Sequence, residues 1–358
     1  MTRDELLAIK PHEPDREMYK IAKAEFDALA KPIDGFGHME DIVCRIASIL
    51  GKDCDISKKA LIVMCADNGV VEEGVSQTDR SVTASVTSLL GQGKSTVGVM
   101  TKGYPVKIIP VDIGVDFDDD FRGVENERIA RGTRNITKAC AMTEDECLRA
   151  IDVGIKTVEK CVADGIGIIA TGEMGIGNTT TSTALFCALT GAVAGEVTGK
   201  GAGLSDEGLI NKINVIEDAL IYHGLGAMTP NPSETFAALT KVGGLDIAAL
   251  AGVFIGASIY EVPVVIDGAI SAVAALAASF IVPGCEEFMI ASHKGREKLS
   301  GEVLDLLGLC AVIDADMALG EGTGAVMLFP MLDMVMSVFR NGTRFSDTDI
   351  LQYERFDE

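Results

Sequence analysis

The segment Thr171-Gly-Glu-Met-Gly-Ile-Gly-Asn-Thr-Thr-Thr-Ser182 is the part of this sequence best suited to hold an anion. Glycines let the backbone come close to a charged ligand, and hydroxyls at the start of a helix meet it beside the positive end of the helix dipole. The apolar run Ala184–Leu189 continues the segment as a helix. No lysine follows the glycines, so this is not a P-loop, and the spacing is not Gly-x-Gly-x-x-Gly. A tight strand-to-helix turn with several N-capping hydroxyls gives the same pattern. The segment Gly199-Lys-Gly-Ala-Gly-Leu-Ser-Asp-Glu-Gly208 is a second glycine-rich loop, and Lys212, about one helical turn beyond it, is in reach of a phosphate. On its own that pattern is more often structural. The third segment, Leu319-Gly-Glu321-Gly-Thr-Gly324, holds a carboxylate between glycines. In a cleft, burial would raise its affinity for a proton and suit Glu321 to general-base work near neutral pH, whereas a surface turn has the same spacing.

Lesser candidates are Asp67, Asp267 and Ser292-His293-Lys294. An Asp at a strand end commonly caps the helix that follows, and His293 reads as a turn residue. The histidines at 12, 38, 223 and 293 are scattered, with neither His-x-x-x-His nor a cysteine at metal spacing, so no metal site is expected.

These segments share a position in the chain pattern. Apolar runs at Ala60–Ala66, Val106–Val111, Ile166–Ala170, Pro263–Ile266 and Phe288–Ala291 predict strands of a parallel sheet covered on both faces. Helical periodicity separates them. Thr143-Glu-Asp-Glu146 is a capping box, followed by apolar residues at 148, 151, 155, 158 and 162 and a stop at Gly165. The alternation predicts a doubly wound α/β sheet, in which ligands bind beyond the carboxyl ends of the strands. Those ends are Cys65–Gly69, Asp112–Gly114, Thr171–Glu173, Asp267-Gly268 and Ser292-His293, where acids, glycines and small polar residues gather. Residues 1–55 and 330–358 are helical and charged without strand signals, and are expected to form a small helical domain beside a large α/β domain, 56–329. The tail Arg344–Glu358 is polar and reads as surface.

The 358 residues include 31 Lys and Arg against 53 Asp and Glu, a formal charge of −22. Such a surface repels nucleic acid and anionic membranes while leaving small phosphorylated ligands open. Nine cysteines, an odd number without a C-x-x-C pair, fit free thiols in a reducing cytoplasm. The N-terminus lacks an apolar signal core. The longest uncharged run, between Asp267 and Glu286, reads as a buried helix rather than a membrane span.

Taken together, ADNGVVEEGVS (66–76), GEMGIGNTTTS (172–182), TGKGAGLSDEGL (198–209), KVGGLDIAALAG (241–252), PVVIDGAISA (263–272), ASH (291–293) and LGEGTGA (319–325) resemble the nicotinate-nucleotide–dimethylbenzimidazole phosphoribosyltransferases of the cobalamin lower-ligand pathway. The likeness runs in one order from about Lys31 to the C-terminus. It implies a Rossmann-like parallel sheet with a small helical domain, a cytoplasmic homodimer, and no cofactor or metal. The implied reaction moves the 5-phosphoribosyl group of nicotinate mononucleotide to 5,6-dimethylbenzimidazole or a related base, giving α-ribazole 5′-phosphate and nicotinate. By motif matching, Glu321 is the catalytic base. Gly175, Gly177, Asn178, Thr179, Gly203, Lys212 and Ser292 are placed at the phosphate, Glu173 beside the ribose or nicotinate, and Ser76, Ser85 and Leu319 near the acceptor base. Because the pyridine nitrogen leaves as a neutral ring, the reaction needs no acid or metal to neutralise it.

The pattern departs from the family at Asp79, Ser85 and Val86, where members often carry Pro and a Gln-Met pair, and at Lys31–Glu40, where a Gly-Ser-Leu-Gly segment is usual. Another benzimidazole, a purine or a phenolic compound therefore stays open as acceptor. A non-catalytic nucleotide sensor is the reading from another class, and the intact LGEGTG segment speaks against it.

Overall fold

The structure, a computed structural model, describes residues 1–226 and 231–356. The last two residues of the expected 330–358 segment lie outside it. Strands β1 (Lys59–Ala66), β2 (Val106–Gly114), β3 (Glu125–Asn126), β4 (Ile168–Met174), β5 (Val264–Ile266) and β6 (Met289–Ala291) form one parallel sheet in the order β3-β2-β1-β4-β5-β6. This is the doubly wound order, and the direction of winding reverses between β1 and β4. All five expected runs are strands. β4 continues past Ala170 because Thr171, Gly172 and Glu173 keep their pairing with Ile62, Val63 and Met64 of β1, so Glu173 is carried on the strand itself.

β1 is buried along its whole length, and its alternate residues serve two cores. Ile62 and Met64 pack with the helices Glu144–Ala163, Leu245–Ile259 and Ala269–Ile281. Leu61, Val63 and Cys65 pack with residues of Arg16–Asp27, His38–Leu50 and Thr323–Asn341. The uncharged run after Asp267 forms the helix Ala269–Ile281, buried over most of its length. The 19-residue helix Thr323–Asn341 is long and apolar enough to cross a membrane, yet half of its apolar window is buried here and its Asp333 pairs with Lys59 at 2.9 Å.

The capping box forms as expected: Thr143 Oγ1 accepts from Glu146 N at 3.1 Å, the Glu146 carboxylate accepts from Thr143 N at 2.6 Å, and Gly165 leaves the helix at φ +77°. This helix crosses Leu245–Ile259 at backbone contact. A Cβ on Gly154 would lie 2.0 Å from the Ala249 oxygen, and one on Gly252 would lie 2.1 Å from the Ile151 oxygen.

Three strands have no counterpart among the expected runs: the two-residue β3 at the sheet edge, β7 (His293–Gly295) and β8 (Ile313–Met317). The last two pair in parallel as a small separate sheet. β8, with the sequence IDADM, lies mostly at the surface, so its acids mask the strand pattern.

The two ends of the chain meet. Leu29 and Arg344 form an antiparallel bridge, the Phe26 and Phe339 rings lie 4.8 Å apart, and Arg355 pairs with Asp27 at 2.6 Å and Asp34 at 2.7 Å.

Gly252→Ala, which adds one methyl to the helix crossing, is expected to destabilise the protein by about 1–3 kcal/mol, read as a lowered urea midpoint with an unchanged slope.

Candidate active site

A cavity of about 240 Å³ opens beyond the carboxyl ends of β4 and β5, beside the reversal of strand order. Its walls come from separate stretches of chain: Val75–Gln77, Glu173–Thr179, the loop at 200–204, Asp267–Ser271, residues around His293–Glu297, and Met317–Glu321.

The loop carrying Glu321 is fixed from below. Asp267, at the end of β5, accepts hydrogen bonds from the amides of Gly322 (3.2 Å), Gly324 (2.8 Å) and Ala325 (3.0 Å). The sequence reading had this acid capping the helix that follows it; it caps Thr323–Asn341 instead. Burial pushes the Asp267 carboxyl up, while His293 and the three amides pull it down. Glu321 itself sits in the left-handed region at φ +58°. The loop lies directly on β4, since a Cβ on Gly172 would come within 2.6 Å of the Gly322 nitrogen. Glu321 is half-buried, and its Oε2 accepts from the Val97 amide at 3.2 Å, which orients the carboxylate at the cavity wall.

Glu173 faces the same cavity from β4. The side-chain amide of Asn178 donates to the carboxylates of both Glu173 and Asp246, the latter at 3.0 Å. Burial pushes Glu173 up to about 8, with Asp246 adding to the shift, and burial likewise moves Asp246 up to about 6.

Opposite these acids stands one buried cation. Lys212 is fully buried on the helix Asp206–Tyr222, and its Nζ donates to Thr179 Oγ1 (2.8 Å) and to the Gly199 carbonyl (3.1 Å). Among the described residues no carboxylate lies within ion-pair distance of it. Burial lowers its pKa to about 8. Such an ammonium, beside the first turn of the helix Asn178–Thr190, is a seat for an anion from outside. The loop over it is tied down by Glu297, which accepts from the Gly201 amide at 3.0 Å, and by Gln77, whose amide donates to the Gly203 carbonyl.

Ser76, Glu173, Gly175, Gly177, Asn178, Thr179, Leu319 and Glu321 thus line one cavity, as their motifs suggested. Lys212 stands directly behind Thr179, and Gly203 contributes its carbonyl to the loop tie. Two residues sit elsewhere. Ser292 Oγ donates its hydrogen to the Ile266 carbonyl (2.6 Å) and lies 2.9 Å from His293 Nδ1. It supports His293, which lines the cavity in its place. With the serine hydrogen spent, Nδ1 is the donor in that contact. Ser85 is exposed on the helix Ser81–Gly91, its hydroxyl donating to the Ser81 carbonyl at 2.8 Å, and is not part of the wall.

Sequence reasoning passed over Asp246, Glu297 and Gln77. A signal existed for Asp246, the one charge between Lys241 and Glu261 in an otherwise apolar helix. Gln77 supplies a glutamine at the cavity wall although position 85 lacks one. Glu297 carries no local signature.

The sequence matches a phosphoribosyltransferase family model over residues 11–350. It is 44% identical over 340 residues to the nicotinate-nucleotide–dimethylbenzimidazole phosphoribosyltransferase of Ruminiclostridium cellulolyticum, covering 94% of this chain and 95% of that one. The protein of the same name from Acetivibrio thermocellus is 42% identical over 344 residues, covering 94% and 96%. The crystal structure of CobT from Thermus thermophilus superposes with a TM-score of 0.87 at 31% identity, over 94% of this chain and 100% of that chain.

Because the Lys212 pKa is lowered, the folded protein binds fewer protons than the unfolded chain above about 8, and the free protein gains stability from this group as pH rises from there toward 10.5. Anion affinity runs the other way. Inorganic phosphate is expected to raise the melting temperature at neutral pH and progressively less above pH 8. Lys212→Met is expected to abolish that increment at every pH, as scanning calorimetry with and without phosphate will show.

Proposed function

The chain belongs to the nicotinate-nucleotide–dimethylbenzimidazole phosphoribosyltransferase family, and on that premise we propose which of its residues carry the transfer. It is a pentosyltransferase, moving the 5-phosphoribosyl group of nicotinate mononucleotide to 5,6-dimethylbenzimidazole to give α-ribazole 5′-phosphate and nicotinate. In our reading the 5′-phosphate sits at Lys212, the Thr179 hydroxyl and the backbone of Gly175 and Gly177. The observation that carries this is a buried ammonium at a helix N-terminus with no carboxylate partner among the described residues.

The bond between C1′ and the cationic pyridine nitrogen breaks with its electron pair going to nitrogen, so nicotinate leaves with a neutral ring. The acceptor nitrogen bonds to C1′ from the opposite face, turning a β into an α linkage. Its partner N–H proton passes to Glu321, whose negative charge also stabilises the positive charge building on ribose and azole. Holding the two reactants in line across one cavity supplies much of the rate. The apolar side chains of Val75, Leu204 and Leu319 suit a flat aromatic acceptor, and Ser76 and Gln77 supply the polar contacts.

The remaining assignments belong to the same proposal. All nine cysteines are free and seven are buried, which supports a cytoplasmic protein. The contacts between the two ends support a helical unit of 1–55 with 330–358 beside a catalytic unit, 56–329. The ion pair and burial of Thr323–Asn341 support a protein that does not enter a membrane. Val99 and Met100 of the helix Thr96–Met100 and Met327 and Met334 of the helix Thr323–Asn341 packed against it are exposed, which supports a homodimer covering them.

Glu321→Gln is expected to lower kcat by about 10²–10⁴-fold, the usual worth of a general base, while nucleotide binding by calorimetry changes little. Nicotinate release from wild type on mixing the two substrates tests the reaction itself, and undiminished turnover in the variant removes Glu321 as the base.

A further inference from the structure

Glu173 and Asp246 are two carboxylates in a place that does not support two charges. Asn178 gives one amide hydrogen to each, and among the described residues no lysine or arginine lies within ion-pair distance of either. Asp246 is wholly buried and Glu173 nearly so. Like charges this close in a buried site retain a proton between them. The surroundings decide which carboxyl keeps it. Asp246 lies in the first turn of the helix Leu245–Ile259, and its Oδ1 accepts from the Ile247 amide at 3.0 Å. That end of the helix favours negative charge. Among the described residues Glu173 has only the Asn178 amide, and it is surrounded by Asp246 from that helix, Asp267 from the end of β5 and Glu321 from its loop. Cys65 of β1, on the opposite face of the sheet, is a neutral thiol pushed up by burial, with Glu173 and Asp246 adding to the shift.

We propose that Asp246 is a positioning residue: it takes the negative charge of the pair and leaves the proton on Glu173, whose carboxyl meets the nucleotide as a hydrogen-bond donor. The two glutamates on the cavity wall then have opposite roles, Glu321 accepting a proton and Glu173 offering one in a hydrogen bond without giving it up. The division also suits the substrate. Nicotinate mononucleotide carries a carboxylate and a phosphate, and a charge on Glu173 would face them directly, whereas a charge on Asp246 is set behind the wall. This role rests on the phosphoribosyl-transfer reading for its substrate, but the site of the proton does not.

Two measurements separate the parts. Infrared titration of the free protein reads the proton directly. Wild type is expected to show the carbonyl stretch of a protonated carboxylic acid near neutral pH, fading as pH rises through about 8. Glu173→Gln is expected to lack it, and in Asp246→Asn the midpoint is expected to fall by at least about one pH unit. In steady-state assays at neutral pH, Asp246→Asn is expected to raise the KM for nicotinate mononucleotide several-fold more than it lowers kcat, and to move the alkaline limb of the rate profile down with the infrared midpoint. Absence of the band in wild type, its survival in Glu173→Gln, or an unmoved midpoint in Asp246→Asn overturns the assignment. A purely structural role for Asp246 would lower kcat and stability without moving either midpoint, and that result also overturns it. Should wild type release no nicotinate, the transfer reading falls while the infrared result still decides where the proton sits.

Discussion

Three backbone amides on one carboxylate hold this site in register. Asp267 stands at the end of a central strand, and the groups it binds, Gly322, Gly324 and Ala325, open a helix far along the chain. Hydrogen bonds to a charged group contribute about 1.5–3 kcal/mol each, more than most single contacts on a loop. The helix they anchor covers one face of the sheet and joins its core to the N-terminal helices. Glu321 sits between that anchor and the sheet, with its backbone pressed on Gly172. The position of the proposed base is thus set by a strand end and a helix start rather than by its own flexible glycines.

Charge is distributed in two distinct ways. On the surface, acids outnumber bases and many are paired in exposed contacts worth little each. At the cavity a few buried or half-buried acids lack a lysine or arginine partner among the described residues, and each is handled differently: Asp267 by backbone amides, Asp246 by a helix start, Glu321 by the Val97 amide. The buried ammonium at the cavity, Lys212, is held apart from them on Thr179, at the start of the helix Asn178–Thr190. A substrate that is anionic at one end and cationic at its ring matches that division.

Much of this arrangement was legible in the sequence, for a physical reason. Strands buried on both faces must be apolar throughout, so the five main strands stood out, and a capping box has a fixed spacing, so the Thr143 helix start did too. Strand ends in such a sheet face a common crevice, which gathered Glu173, Asp267 and His293 from the chain pattern, while Asn178 and Glu321 came with the family resemblance. What escaped were relations across long separations. Nothing near Asp267 tells which helix it caps. Ser85 stands where the family often has glutamine but turns its hydroxyl to its own helix, and Ser292 spends its hydrogen on a neighbouring strand. The β7–β8 pair is too polar and too short to show a period.

The clasp between the two ends of the chain gives the assembly an order in time. The helices Arg16–Asp27 and His38–Leu50 leave the ribosome well before the helix Thr323–Asn341, yet Phe26 rests on Phe339 and Leu29 on the Arg344 backbone. With about 300 residues to add at roughly 5–20 per second, those apolar surfaces stay uncovered for tens of seconds. The same late helix begins two residues after Glu321, so the step that shields the earliest helices is the one that completes the site. Covering the early apolar surfaces and seating the Glu321 loop thus depend on one late helix.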